Sequence, residues 1–280
     1  MADPDDDPSL TGVPRTRWHE GSSTTDDDTL VREEPLEIRV GGVPIAVVMR
    51  SPGHDLELAR GFLLTERVVE DATDIVALRH CTTVDEPEAE DNVVQAVLRD
   101  DVEVDLARFR RNLYASSSCG ICGKATIDAA LRHAPPISGD TMEMTAEALY
   151  GMPDRLREAQ AVFERTGGLH AAGVFDAMGG LTVAREDIGR HNAVDKVVGW
   201  AGERGHLPLS QSALMVSGRV SYEIVQKALA ARIPLVAAVS APSSLAVSLA
   251  KRAGITLVAF LRGRSASVYS GEQRLVAPPA

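Results

Sequence analysis

Ala213-Leu-Met-Val-Ser-Gly-Arg219, Leu235-Val-Ala-Ala-Val-Ser240 and Thr256-Leu-Val-Ala-Phe-Leu-Arg262 repeat one pattern, a short uncharged apolar run that ends in Ser, Gly or Arg. Helical stretches separate them, predicted over Ser221–Arg232 and Ser243–Ala253. Apolar runs this short, without polar alternation and alternating with helices, are what parallel strands covered on both faces require. The C-terminal third is therefore α/β. Ligands on such sheets bind beyond the carboxyl ends of the strands. The segments leaving those ends are Ser217-Gly218-Arg219, Ser240-Ala-Pro-Ser243-Ser244 and Arg262-Gly263-Arg264-Ser265. Ser243 and Ser244 open a helix, where free N–H groups and the dipole favour an anion. Arg219, Arg262 and Arg264 offer bidentate contacts to phosphate. Serines that merely cap helices, beside solvated arginines, are the better account of any one loop taken alone. Three such loops on one edge favour an anionic ligand. The chain lacks both the P-loop pattern and a Gly-x-Gly-x-x-Gly between strand and helix, so neither standard nucleotide motif applies.

Towards the N-terminus, Pro35-Leu-Glu-Ile-Arg-Val40 and Pro44-Ile-Ala-Val-Val-Met49 flank Gly41-Gly42 and predict a β-hairpin. Leu56, Ala59, Phe62 and Leu63 then recur at helical spacing behind Asp55, a candidate N-cap. Strands are expected over 75–78, 93–98 and 102–106, which makes the region 30–112 a smaller α+β portion ahead of an α/β domain over 113–280.

Composition narrows the function. With 280 residues, 44% hydrophobic and 25% charged, the chain is an ordinary folded globular protein. Twenty-nine basic against 40 acidic residues leave a net charge of -11, which repels nucleic acid, and 4% aromatic residues do not suit base stacking on single strands. Eight acidic residues among 1–29, against Arg15 and Arg17, give that leader a net charge of -6 and predict a disordered acidic tail. It has neither the apolar stretch of a signal peptide nor the Arg-rich, acid-poor character of a transit peptide. The uncharged stretch 233–250 contains Pro234, Pro242 and four serines, a poor membrane span. A cytoplasmic protein is expected. Three cysteines, Cys81, Cys119 and Cys122, are no disulfide framework and fit a reducing compartment.

Ser116-Ser-Ser-Cys119-Gly-Ile-Cys122-Gly-Lys124 sets two thiols ahead of a helix-like run. A helix N-terminus and Lys124 lower a thiol pKa, and the thiolate is the nucleophile of sulfur chemistry. Three roles compete. A structural zinc site needs four ligands, and beyond the pair only Cys81, His170 and His191 are evident. A thioredoxin-like pair belongs after the first strand of a compact domain and carries a different sequence between its thiols. The third role, a cysteine that carries sulfur as a persulfide, meets neither objection. A second cluster comprises Thr166-Gly-Gly-Leu-His170 and Glu186-Asp-Ile-Gly-Arg-His-Asn-Ala-Val-Asp-Lys196, with a hairpin expected at Met178-Gly-Gly180 and a helix from Arg190. His191 and Asp195 share one edge of that helix. Ionisable residues this dense at a helix start suggest a site. The deaminase signature His-x-Glu is broken by Ala172, and the cysteine pair precedes it, so deamination is not expected.

Taken with Glu34-Pro-Leu-Glu-Ile-Arg-Val40, Glu57-Leu-Ala-Arg-Gly-Phe62, Ser217-Gly-Arg219 and Ser240-Ala-Pro-Ser-Ser-Leu-Ala246, these segments resemble the FdhD/NarQ family of formate dehydrogenase accessory sulfurtransferases, from about residue 31 to the C-terminus. The resemblance implies a cytidine-deaminase-like three-layer α/β sandwich without the deaminase zinc, and a homodimer. It implies that a cysteine desulfurase loads a persulfide on Cys119, assisted by Cys122. The sulfur then passes to the molybdenum bis(molybdopterin guanine dinucleotide) cofactor before insertion into formate dehydrogenase. It also implies guanine-nucleotide contacts from Phe260-Leu261-Arg262-Gly263-Arg264-Ser265. Ser217, Gly218, Arg219, Ser240, Ser243, Ser244 and His191 complete the expected cofactor-binding set, with no metal ligands. A non-catalytic cofactor chaperone and a thiol–disulfide oxidoreductase are the rival functions.

Overall fold

The computed structural model describes residues 7–81, 91–105 and 134–276. Six strands form the main sheet: β8 (His170–Asp176), β9 (Leu181–Asp187), β10 (Ser212–Val216), β11 (Leu235–Ala238), β12 (Thr256–Arg262) and β13 (Ser265–Ser270). Their order is β13-β12-β11-β10-β8-β9. The three strands read from the apolar runs, β10, β11 and β12, are parallel neighbours, whereas β8 and β13 run antiparallel beside them. Three helices cover one face: α5 (Arg190–Glu203), α6 (Tyr222–Ala230) and α7 (Ser244–Ala253). Residues of α2 (Ala146–Tyr150) and α3 (Met152–Glu158) cover the other. Along β10 the side chains divide accordingly, Leu214 and Val216 to the first core and Ala213 and Met215 to the second.

A second sheet holds β3 (Glu34–Val40), β4 (Val43–Arg50), β5 (Ile75–His80) and β6 (Val93–Leu98) in the order β4-β3-β6-β5. The hairpin expected at Gly41-Gly42 is β3–β4. α1 (Asp55–Thr65) carries this sheet against α5 at a crossing closed by two glycines. A Cβ on Gly61 would stand 1.8 Å from the Asp195 carbonyl oxygen, and one on Gly199 would stand 1.8 Å from that of Glu57. Only residues without a side chain let the two backbones meet.

Three expectations change. The leader is not a disordered tail throughout, because β1 (Leu10–His19) and β2 (Ser22–Val31) pair antiparallel. Its register sets Arg15 opposite Asp26, with Nε 3.0 Å from Oδ1, and Arg17 pairs with Asp26 at 3.2 Å. Charge density alone reads as a solvated segment, but here opposite charges meet across the strands. Asp55 is not the N-cap of α1. His54 holds that position in the left-handed region, and Asp55 pairs with the buried Arg50 through two hydrogen bonds of 3.0 Å. Residues 102–105 form no strand, since they extend no ladder, and residue 106 lies outside the described residues. Arg262–Ser265, the segment leaving β12, is the turn of the β12–β13 hairpin. The boundary expected between 112 and 113 lies outside the described residues.

Candidate functional site

The carboxyl ends of β10, β11 and β12 share one edge with the start of β8 and the end of β9, as the pairing directions require. Main-chain bonds tie the loops there together. Val220 N donates to Ala241 O at 3.1 Å and Ser243 N to Val220 O at 2.9 Å, which joins the segments after β10 and β11. Phe260 N donates to Ser240 O at 3.3 Å, and Arg262 Nε to Val239 O at 3.2 Å, joining the segments after β11 and β12.

Several expected ligands are occupied locally. Ser217 Oγ accepts from Ala171 N at 2.8 Å, and Ser243 Oγ caps α7 by accepting from Ala246 N at 3.1 Å. The capping alternative thus describes Ser243. Leu261 is buried in the core, and Arg264 pairs with Glu147 and lies over the Tyr150 ring. Phe260, Gly263, Ser265, Ser244 and Arg219 are exposed, whereas Gly218 is buried. Phe260 adopts a left-handed φ of 51°, strained for an aromatic residue, with 44% of its surface exposed. An exposed ring beside a basic edge suits stacking of a heteroaromatic base.

The residues that sequence reasoning left unassigned are His170 and Arg190. Where a Cβ on Gly218 would stand, His170 Nδ1 lies 3.2 Å away and Arg190 Cδ 3.7 Å. Glycine lets the loop after β10 pass close to both; a Cβ there would press on the His170 ring. Burial, then the charges of Arg190 and Arg219, pushes the His170 pKa below its ordinary value. Arg190 Nε is buried and makes no hydrogen bond among the described residues. His170, Arg190 and Arg219 thus form a basic cluster in which, among the described residues, the buried Arg190 Nε has no hydrogen-bond partner. The signals for these two residues were the small residues before His170 and the ionisable stretch that places Arg190 at a helix start. Neither tells which side chains converge.

Beside the cluster opens a cavity of about 560 Å³. Leu156, Phe163, Leu169, Ile188 and Met215 give it apolar walls, and Arg157, Gln160, His170 and Ser217 supply polar groups. Phe163 belongs to α4 (Ala161–Thr166).

Most of the dense ionisable motif after β9 builds the frame instead. Asp187, fully buried, accepts from Lys196 Nζ at 2.7 Å, Ser51 N at 3.2 Å, Gly189 N at 2.8 Å and Asn192 Nδ2 at 2.9 Å. Asn192 Nδ2 also donates to Met49 O at 2.7 Å, locking the β4–α1 corner to the start of α5. His191 and Asp195 do share one edge of α5, and that edge faces α6. His191 Nε2 lies 2.9 Å from Ser221 Oγ and 3.0 Å from Glu223 Oε2, while Lys227 Nζ meets Asp195 Oδ2 at 2.9 Å. Cys119 and Cys122 lie outside the described residues. Among the described residues, no three His, Cys, Asp or Glu side chains gather as a metal site would require, and no helix is long and apolar enough to cross a membrane.

Residues 31–276 match the FdhD/NarQ family. A Mycobacterium tuberculosis protein named sulfur carrier protein FdhD is 53% identical over 258 residues, 90% of this chain and 93% of its own. A Streptomyces coelicolor protein of the same name is 51% identical over 263 residues, 92% and 93% of the two chains. Among solved structures, a putative formate dehydrogenase accessory protein from Desulfotalea psychrophila superposes with a TM-score of 0.76 at 23% identity, covering 96% of this chain and all of its own.

Proposed function

Since the chain belongs to the FdhD/NarQ family, we propose that it is a sulfur carrier serving formate dehydrogenase, which takes persulfide sulfur from a cysteine desulfurase on Cys119 and delivers it to a guanine-dinucleotide molybdenum cofactor. The observation that carries the proposal is a pairing. The family match spans the Cys119-Gly-Ile-Cys122 motif, and the described edge of the sheet offers an anion the basic cluster of His170, Arg190 and Arg219, with the unpartnered Arg190 Nε.

The chemistry is a thiol exchange. The Cys119 thiolate attacks the outer sulfur of the desulfurase persulfide, the S–S bond of that persulfide breaks, and the desulfurase thiolate leaves. Cys119 then holds the transferred sulfur. Attack of the Cys122 thiolate on the Cys119 sulfur releases that outer atom as sulfide for the metal and leaves a Cys119–Cys122 disulfide, which a cellular thiol reduces. The edge of the sheet supplies placement. Its basic cluster holds the phosphates of the cargo, Phe260 and the apolar cavity suit its heteroaromatic parts, and effective concentration does the rest. A cytidine-deaminase-like sandwich, a homodimer and a cytoplasmic location belong to the same proposal.

The test is the intact mass of reductant-free protein after incubation with a cysteine desulfurase and L-cysteine. Added mass of one or more sulfur atoms is expected in the wild type, removable by reductant and missing from Cys119→Ala. Protein that gains no sulfur yet binds guanosine diphosphate would instead be a cofactor chaperone.

A further inference from the structure

The cavity at the sheet edge has one wall that is barely held. α4 buries none of its six residues, and Gln160 at its N-cap position gives no side-chain hydrogen bond. Its last turn ends at Gly167, in the left-handed region at φ 67°. Yet Phe163, Gly167 and Gly168 line the cavity. What fastens the N-terminal end is a carboxylate from the neighbouring strand. Glu186 Oε2 accepts from Val162 N at 3.0 Å and Glu186 Oε1 from Phe163 N at 2.8 Å, so both oxygens hold first-turn amides. At the cavity rim Arg157 lies 4.4 Å from the Phe163 ring centroid and pairs with the exposed Glu164 at 2.7 Å.

We propose that Glu186 is a positioning residue for the bound cargo: its carboxylate pins α4, and thereby Phe163, as the closing wall of the cavity. This deepens the functional proposal above and rests on it for the identity of the cargo. A six-residue helix whose Val162, Phe163 and Thr166 are only half-buried has little stability of its own, so an anchor at the first turn counts heavily towards its formation. Burial raises the Glu186 pKa against the pull of the two amides. Arg157 on α3 favours its charged form and Asp7 disfavours it, while Glu164 and Arg165 on α4 are exposed, and His170 lies on the adjacent strand.

Hydrogen exchange and nucleotide binding on the full chain test the proposal. In Glu186→Ala, protection of the Val162 and Phe163 amides should fall about tenfold or more, the loss expected when hydrogen bonds to a charged group disappear. Glu186→Gln, which keeps one carbonyl acceptor, should lose less. Guanosine diphosphate affinity should fall in the same order while the melting temperature holds. Wild-type protection should also decline as acid titrates Glu186, a pH profile that Glu186→Gln lacks. Unchanged protection in Glu186→Ala would overturn the anchor. Lost protection with undiminished nucleotide affinity would overturn its role in positioning. If the wild type binds no guanosine diphosphate, the functional proposal falls, and the exchange measurements alone uphold or overturn the anchor.

Discussion

His170 is kept neutral by its surroundings, and that fixes the sign of a pH effect. Burial and two arginines lower its pKa, so the free protein resists protonating it. An anion seated among His170, Arg190 and Arg219 reverses the charge balance and raises that pKa, so binding takes up a proton. Affinity for guanosine diphosphate should therefore rise as the pH falls from about 8 towards about 6, through the ordinary histidine range. The slope should flatten in His170→Gln, a comparison in which the titration of the phosphate itself is common to both proteins. Isothermal titration at several pH values reads it, and parallel curves for the two proteins would remove His170 from the anion site. Asp187 teaches the opposite lesson at the same scale. It belongs to as ionisable a stretch as any catalytic motif, but its oxygens are filled by Lys196, Ser51, Gly189 and Asn192. Residue type announces chemistry; only the partner says whether the chemistry is structural.

Elements were the most legible level, because periodicity is local. The three apolar runs became β10, β11 and β12, and the helices between them became α6 and α7, trimmed by a residue or two where Ser221 and Ser243 take the N-cap positions. What periodicity could not convey is how closely elements approach. The α1–α5 crossing brings the Gly199 Cα to the Glu57 carbonyl with no room for a methyl group. Gly199→Ala should cost about 3 kcal/mol, the upper end for overpacking, because backbone rather than a yielding side chain stands in the way. Thermal denaturation beside the wild type measures it, and equal melting temperatures would refute so close a contact.

Across the whole molecule, one buried network binds α1, α5 and α6. Lys227 Nζ meets Asp195 Oδ2 at 2.9 Å, Thr65 Oγ1 at 3.0 Å and Glu66 Oε1 at 3.1 Å, and Thr65 Oγ1 donates to Asp195 Oδ1 at 2.6 Å. Burial, only partly offset by the charge of Lys227, pushes the Asp195 carboxyl up to about 6. Lys227→Met strands that carboxylate and should cost about 3–5 kcal/mol, whereas Lys227→Met with Asp195→Leu should cost less than the sum of the single changes. Urea denaturation of the three variants decides it, and strict additivity would show the pair to be uncoupled. Partners here lie far apart in the chain, with a sequence separation of 136 between Ser51 and its acceptor Asp187. By itself the sequence determined the alternation of strands and helices in the C-terminal third, the parallel core of the main sheet and the spacing of the Cys119-Gly-Ile-Cys122 motif, since each is written in neighbouring residues. Tertiary structure alone decided that Arg15 and Asp26 meet across a hairpin, that Asp187 and Lys196 serve the frame, and that His170, Arg190 and Arg219 crowd one edge. Those outcomes depend on which distant segments pack together, and chain closure over such separations leaves no trace in local spacing.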